Sequence, residues 1–251
     1  MSEKYIEEMI QTRRALHKRP ELGWTEFETM WHICSHLEQW GIPYVLGTKV
    51  INPTFVMGRN ETEVKDAMER AKKHGVPEAF LEKTEGYTGA AAIIDTGRPG
   101  PVTAFRCDMD ALPIRESDDC SHEPTKLGFA SERAGIMHAC GHDGHSAVGL
   151  TVAHWLWDHK DELCGQFKVL FQPAEEGVRG ARPMSESGIV DDVDWLSDGS
   201  RRWVPCLYQI RYHLYRSSIS RRQCSAQGSQ RLSRRRLRND DDSRHSPPRR
   251  R

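Results

Sequence analysis

The chain has 251 residues, enough for one large domain or two small ones, and its 36 basic and 36 acidic residues leave no net formal charge. Its seven cysteines are an odd number without framework spacing, which argues against a disulfide scaffold and indicates a reducing compartment. No run approaches the roughly 20 apolar residues of a membrane span, and the first residues form no apolar signal segment. We therefore expect a cytoplasmic protein that does not bind a membrane.

Helix-like and strand-like patterns alternate along the first part of the chain. Three segments have apolar residues at helical spacing, and three others are short apolar runs between turn signals, which is typical of buried strands. The helical segments are residues 3–18, 25–41 and 144–163. The strand segments are residues 88–97, 101–110 and 165–177, the last of which ends in a polar loop. The alternation predicts an α/β fold, in which a mixed sheet is flanked by helices on both faces, for a domain of residues 1–196.

A charged, helix-prone segment interrupts this alternation at residues 58–84. It contains oppositely charged pairs at i,i+4 spacing, Glu61 with Lys65 and Glu69 with Lys73, which stabilise exposed helices. We expect one or two surface helices here, inserted before the first core strand.

The pattern changes after about residue 196. Residues 197–251 contain fifteen Arg, four Asp, no Lys and no Glu, a formal charge of +11. One explanation is a functional basic tail that binds phosphates, and the other is a shifted reading frame. We favour the second, because natural nucleic-acid-binding tails usually contain Lys as well. In either case we expect a disordered tail.

The segment "MHACGHDGH", residues 137–145, concentrates metal-ligand types in a short loop. Cys140 and His142 flank Gly141, and a glycine with positive φ would let both side chains converge on one point. A thiolate and an imidazole suit zinc, manganese or cobalt. The alternative is that Cys140 is a small core residue and His142 begins a helix.

The segment "FQPAEEG" places Glu175 and Glu176 side by side after an apolar strand. Adjacent carboxylates repel each other unless a cation or a shared proton lies between them. The pair suits a division of roles, in which one glutamate binds a metal and the other transfers protons. The alternative is a solvated acidic turn.

Two further segments carry acidic side chains near predicted element ends. In "RCDMDALP", Asp108 and Asp110 alternate at a strand end and so share one face, which suggests a ligand or a group that orients a ligand; the alternative is a simple strand-end turn. In "LHKRPELGWTEFET", His17, Glu21 and Glu26 lie near a helix junction, where by themselves they are typical of helix capping.

Together, "LHKRPELGWTEFET", "AFRCDMDALPIRE", "MHACGHDGHSAVGL" and "FQPAEEGVRGARPM" resemble the metal-dependent amidohydrolases of the aminoacylase and carboxypeptidase-G type. This family includes hydrolases of N-acyl amino acids and of auxin conjugates. The insert at 58–84 and the phrase "ARPMSESGIVDDVDW" resemble the branch that cleaves p-aminobenzoyl-glutamate, a folate breakdown product, to p-aminobenzoate and glutamate.

The resemblance implies a set of roles in the hydrolysis of an amide bond. It implies that Cys140, His142 and Glu176 bind one or two divalent ions, Mn or Zn, and that Glu175 is the general acid and base. Asp110 would orient a ligand, and the substrate would be a small amide. His138 and His145 match the motif without an assigned role.

The chain also departs from the family. A further family histidine falls at Ser200 here, and the lid domain through which members form homo- or hetero-oligomers is not recognisable after residue 196; His213 and His245 fit neither pattern. We therefore expect a truncated or frameshifted member that binds metal weakly and turns over slowly or not at all.

Two alternatives remain open at this point. A related enzyme could cleave acyl or auxin-type conjugates, against which the insert at 58–84 speaks mildly. In a different class, the basic tail could bind nucleic acid non-specifically, in a salt-dependent way. No aromatic interleaving indicates a specific nucleic-acid partner.

Overall fold

The computed structural model describes residues 2–198. The basic tail expected at residues 197–251 lies outside them, apart from its first two residues. Within the part of the chain that the structure describes, no helix has both the length and the apolar character needed to cross a membrane.

The described residues contain seven α-helices and five strands. The helices are α1 Glu3–Lys18, α2 Phe27–Trp40, α3 Glu61–Lys73, α4 Glu78–Lys83, α5 Glu123–Lys126, α6 His142–Asp158 and α7 Ala181–Ser185. The strands are β1 Tyr44–Leu46, β2 Ala90–Asp95, β3 Val102–Asp108, β4 Gln166–Gln172 and β5 Trp195–Asp198.

The strands form one mixed sheet in the order β1-β2-β4-β3-β5. β1 and β2, and β2 and β4, pair antiparallel, whereas β3 pairs parallel with both β4 and β5. The parallel β3 and β4 are joined by a crossover that contains α6, and Asp108 at the end of β3 lies opposite Gln172 at the end of β4. The C-terminal ends of these two strands therefore meet at one edge of the sheet.

Both faces of the sheet are covered. Alternate residues of β2 and β4, such as Ala92 and Phe171, pack with α2, α3 and α6 on one face. Their neighbours, such as Ala91 and Leu170, pack on the other face with Met184 of α7 and with the segment that follows β1. This confirms the predicted α/β class with a mixed sheet between two helical layers.

The helix α6 lies close against β3 because residue 149 is a glycine. A Cβ added to Gly149 would overlap the sulfur of Cys107. The end of α2 also follows the sequence, since Gly41 adopts φ 71° and closes the helix with the left-handed conformation that glycine favours.

The structure differs from the expected organisation at two places. The charged segment 58–84 contains α3 and α4 and precedes β2, the first of the predicted core strands, but a short edge strand that was not predicted, β1, lies before it. Its α3 is not wholly a surface helix, because Val64, Ala67 and Ala71 are buried in the core beside α2. The boundary expected at residue 196 falls inside β5.

Candidate active site

The residues singled out in the sequence meet at the C-terminal edge of β3 and β4. Asp108 ends β3, Asp110 follows it, the turn with Glu175 and Glu176 follows β4, and His142 begins α6. Such an edge of parallel strands is where open α/β sheets commonly bind ligands.

Cys140, His142 and Glu176 come together as a possible ligand set. One ligand atom from each lies within 4.8 Å of the other two. Gly141 has φ 88°, a left-handed conformation that turns the chain between the thiol and the imidazole. His142 is buried, Glu176 is partly buried and Cys140 is exposed, so the set opens to solvent on the thiol side.

Asp110 is not part of this set but holds it in place through hydrogen bonds. Its Oδ1 accepts a hydrogen bond from the backbone N–H of Glu175 at 3.0 Å, and its Oδ2 accepts one from that of Glu176 at 2.9 Å. The backbone carbonyl of Asp110 lies 2.8 Å from Nδ1 of His142, which donates to it and keeps Nε2 toward the cluster. Asp110 thus fixes the backbone of both glutamates and the ring of His142.

Glu175 is buried next to the same imidazole, with Oε2 3.7 Å from Nε2 of His142. Burial opposes the charged imidazolium, yet the hydrogen bond and charge of Asp110 raise the pKa of His142 to about 9. Burial also raises the pKa of Glu176, although the charge of His142 acts against this rise. Burial, together with the charge of Glu176, raises the pKa of the Cys140 thiol to about 11.

These donors fit a divalent cation. A thiol, an imidazole and a carboxylate are together, additional carboxylates lie beside them, and Oε1 of Glu176 is buried without a hydrogen-bond partner among residues 2–198. A cation would satisfy this oxygen and relieve the repulsion among the carboxylates. Sulfur, nitrogen and oxygen donors together favour an ion of borderline softness.

A second donor set shares His142 with the first. It comprises Asp108, His142 and His145, again within 4.8 Å of one another. Asp108 already interacts through Oδ2 with the guanidinium of Arg106 at 3.1 Å and with Nδ1 of His145 at 3.3 Å. Its Oδ1, like Oε1 of Glu176, is buried without a hydrogen-bond partner among the described residues, so one oxygen of Asp108 is also open to a cation.

His17 does not cap a helix, contrary to the expectation from its motif. Its ring lies between two buried carboxylates, with Nδ1 2.8 Å from Oδ2 of Asp143 and Nε2 2.8 Å from Oε1 of Glu116. Burial alone would lower the pKa of His17, but these two hydrogen bonds raise it. Asp143 and Glu116 were missed in the sequence, although Asp143 lies inside the "CGHDGH" motif.

Glu21 and Glu26 have different roles. Oε2 of Glu21 accepts a hydrogen bond from the N–H of Thr29 in the first turn of α2, so its capping role is observed. Glu26 stands at the start of α2 but makes no capping bond with its side chain. Its carboxyl group instead accepts the N–H of Ala174, at 2.8 Å, in the turn that carries the glutamate pair.

His138 stays without an assigned role. Its ring is buried, and neither ring nitrogen has a hydrogen-bond partner within the described chain. Burial lowers its pKa to about 4.

The structure is an α/β domain with a possible metal site, and comparison with known proteins shows what this domain resembles. Residues 104–214 match peptidase family M20/M25/M40. Cys140, His142, Glu175 and Glu176 all lie within this matched segment.

Two curated relatives are similar to this chain over most of its length. The chain is 49% identical over 187 residues to one of the subunits of p-aminobenzoyl-glutamate hydrolase of Escherichia coli (strain K12), in an alignment that covers 74% of this chain and 43% of that protein. It is 48% identical over 194 residues to indole-3-acetyl-aspartic acid hydrolase of Enterobacter agglomerans, covering 76% and 44%. The chain thus spans less than half the length of these curated relatives.

Two solved structures also resemble this chain in fold and in sequence. The aminobenzoyl-glutamate utilization protein from Klebsiella pneumoniae has a TM-score of 0.63 and 38% identity, covering 78% of this chain and 43% of that one. The Bacillus subtilis YXEP protein, described as a dinuclear metal binding peptidase of the M20 family, has a TM-score of 0.59 and 32% identity, with the same coverage.

Proposed function

We propose that this chain supplies metal-binding and proton-transferring residues of an amidohydrolase that acts on N-acyl or N-aroyl amino acids. The observation that carries the proposal is the meeting of a thiol, an imidazole and a carboxylate within 4.8 Å, beside a second buried glutamate. Relatives 45–49% identical are hydrolases by name, which supports the same reaction class.

Cys140, His142 and Glu176 would hold the ion, which we propose to be Mn or Zn. A bound divalent ion would polarise the amide carbonyl and lower the pKa of water in its shell. The set of Asp108, His142 and His145 offers a place for a second ion, but the Arg106 guanidinium competes for Oδ2 of Asp108. We therefore assign the first ion to the thiol-containing set.

Glu175 would act as the general base and then as the general acid. Its carboxylate lies beside the proposed ion site without belonging to either donor set, so it can take a proton from the attacking water. The same carboxyl group then gives the proton to the departing amine. Asp110 contributes by fixing the backbone of both glutamates and the ring of His142.

We infer that the substrate joins an aromatic acyl group to an acidic amino acid. The names of the two relatives describe such compounds, p-aminobenzoyl-glutamate and indole-3-acetyl-aspartate. Identities of 49% and 48% do not separate them. We place p-aminobenzoyl-glutamate first because two of the relatives carry its name, and the indole conjugate second.

The compartment and the oligomeric state of the protein are also proposals. We propose that the protein works in the cytoplasm. In support, no disulfide bond forms among the five cysteines of the described range, Cys34, Cys107, Cys120, Cys140 and Cys164. A homo- or hetero-oligomeric state stays a prediction that light scattering on the purified protein would test.

A hydrolysis assay tests the proposed reaction. The purified 251-residue chain is stripped with chelator, reloaded with Mn or Zn and incubated at high concentration with both conjugates, while free p-aminobenzoate or indole-3-acetate is measured. We expect slow release that requires metal and is lost in Glu175→Gln. The matched control, Glu132→Gln, alters an exposed surface carboxylate and should behave as wild type. Metal-dependent release that is no higher in wild type than in Glu175→Gln would contradict the proposal.

A further inference from the structure

Two buried carboxyl groups hold the turn that carries Glu175 and Glu176. Three consecutive backbone N–H groups, from Ala174 to Glu176, point at them. Asp110 accepts the second and third, and Glu26 accepts the first, at 2.8 Å. Asp110 lies in the strand-end motif next to the site. Glu26 lies near the N-terminus, 148 positions before Ala174.

The residue that Glu26 holds has a strained backbone. Ala174 has φ 48°, in the left-handed region that a residue with a Cβ rarely adopts. Such a conformation persists only where several contacts of the surrounding structure hold it. Here the N–H of Ala174 is fixed by Glu26, and its carbonyl accepts the N–H of Gly180 at 2.9 Å. The strain therefore lies one residue before Glu175.

Glu26 is itself firmly placed and is not used by its own helix. It is fully buried, and its Oε2 accepts the hydroxyl of Thr88 at 2.7 Å. Glu21 caps the N-terminus of α2 instead. Burial, and then the charge of Asp110, raise the pKa of Glu26 to about 8. A carboxyl group that is costly to bury and does not cap its helix indicates a function at the turn.

We propose that Glu26 is a positioning residue for the reaction: its carboxyl group holds the N–H of Ala174 and, through this strained turn, places Glu175 and Glu176 in the site. The inference rests on the proposed function, because it concerns the placement of the proposed base and of one proposed ligand. It predicts that loss of the hydrogen-bond acceptor at residue 26 disturbs the glutamate side of the metal shell and leaves the Cys140 side intact.

Cobalt binding to the full chain tests this directly. Co²⁺ bound to a thiolate absorbs in the near ultraviolet by charge transfer, and its visible bands report the geometry of the whole ligand set. We expect Glu26→Leu to weaken Co²⁺ binding about tenfold, as loss of partners that orient ligands commonly does. Its visible bands should change while the thiolate band stays.

Two variants serve as matched controls. Glu26→Gln keeps an oxygen that can accept the N–H of Ala174, so it should bind Co²⁺ as wild type does. Thr88→Val removes the hydroxyl on the other oxygen of Glu26 and should also keep the affinity. Rescue by Gln distinguishes a hydrogen-bonding role from a requirement for charge.

The outcomes separate this inference from the proposed function. A folded Glu26→Leu protein with wild-type Co²⁺ affinity and spectrum would overturn the inference. If circular dichroism shows that this variant does not fold, Glu26→Asp replaces it as the test. The aspartate carboxylate is one methylene too short to reach Ala174, so wild-type Co²⁺ affinity in Glu26→Asp would also overturn the inference. Wild-type protein without a thiolate band, or Cys140→Ser with an unchanged spectrum, would instead refute the proposed ion site and the inference with it.

Discussion

At the scale of single residues, Gly180 lies where the chain folds back onto the glutamate turn. Its N–H donates to the carbonyl of Ala174, and it has φ −86°, so conformational freedom is not the reason for a glycine here. The reason is space, because a Cβ at this position would overlap the carbonyl oxygen of Pro173. The close approach of two backbone segments therefore excludes every side chain at residue 180.

We predict that Gly180→Ala destabilises the protein by about 1–3 kcal/mol, the usual cost of forcing extra atoms into a packed region. Urea unfolding followed by circular dichroism measures the change. Gly144→Ala is the matched control, since an added Cβ there meets no atom within 4 Å and alanine favours a helix. Equal stability of the Gly180→Ala and wild-type proteins would show that the turn can shift without cost.

At the scale of elements, a partly buried ion network connects the charged insert to the core. Glu28 on α2 receives hydrogen bonds from Arg70 and His74, at the end of α3, and from Arg133 in the loop before the "CGHDGH" motif. Burial acts to raise the pKa of Glu28, but the bond to His74 and the charge of Arg133 lower it overall. Three separate segments thus share one carboxylate.

The lowered pKa of Glu28 sets the sign of a pH effect. The folded protein binds the Glu28 proton more weakly than the unfolded chain does, so its contribution to stability is present above the ordinary value of 4.5 and is lost as the pH falls through the lowered folded value. We predict that Glu28→Gln reduces the free energy of unfolding by about 2 kcal/mol at pH 7. The difference from wild type should shrink below pH 4.5.

Urea titrations from neutral to acidic pH measure this difference, with Glu69→Gln as the control. Glu69 is an exposed carboxylate on α3, 3.6 Å from Lys72, and such surface pairs contribute little. A deficit in Glu28→Gln that stays constant as the pH falls would mean that packing, and not the carboxylate charge, holds these segments together.

At the scale of the whole molecule, short-range features were predictable from the sequence and long-range ones were not. Cys140 and His142 are two positions apart around a glycine, and Glu175 and Glu176 are adjacent, so their proximity follows from local geometry. The partner of Glu26 is 148 positions away and that of His17 is 126 positions away, and no local pattern reveals such pairs. Both side chains therefore looked like ordinary helix-end residues.

The fold shows the same division. The crossover from β3 through α6 to β4 has long apolar patterns and was predicted, whereas the three residues of β1 are too few to show a period. β5 was missed because it spans the point where the composition changes. The register between strands, which brings Asp108 opposite Gln172, depends on tertiary packing and became visible only in the structure.

X-ray absorption at the zinc edge, on protein loaded with one equivalent of zinc, tests whether Cys140, His142 and Glu176 bind the ion. We expect one sulfur at about 2.3 Å together with nitrogen and oxygen at about 2.0–2.2 Å. The sulfur should disappear in Cys140→Ser and persist in the control Cys164→Ser, another exposed cysteine. A shell without sulfur in the wild type, or an unchanged sulfur shell in Cys140→Ser, would contradict the assignment of Cys140, His142 and Glu176 as the ion site.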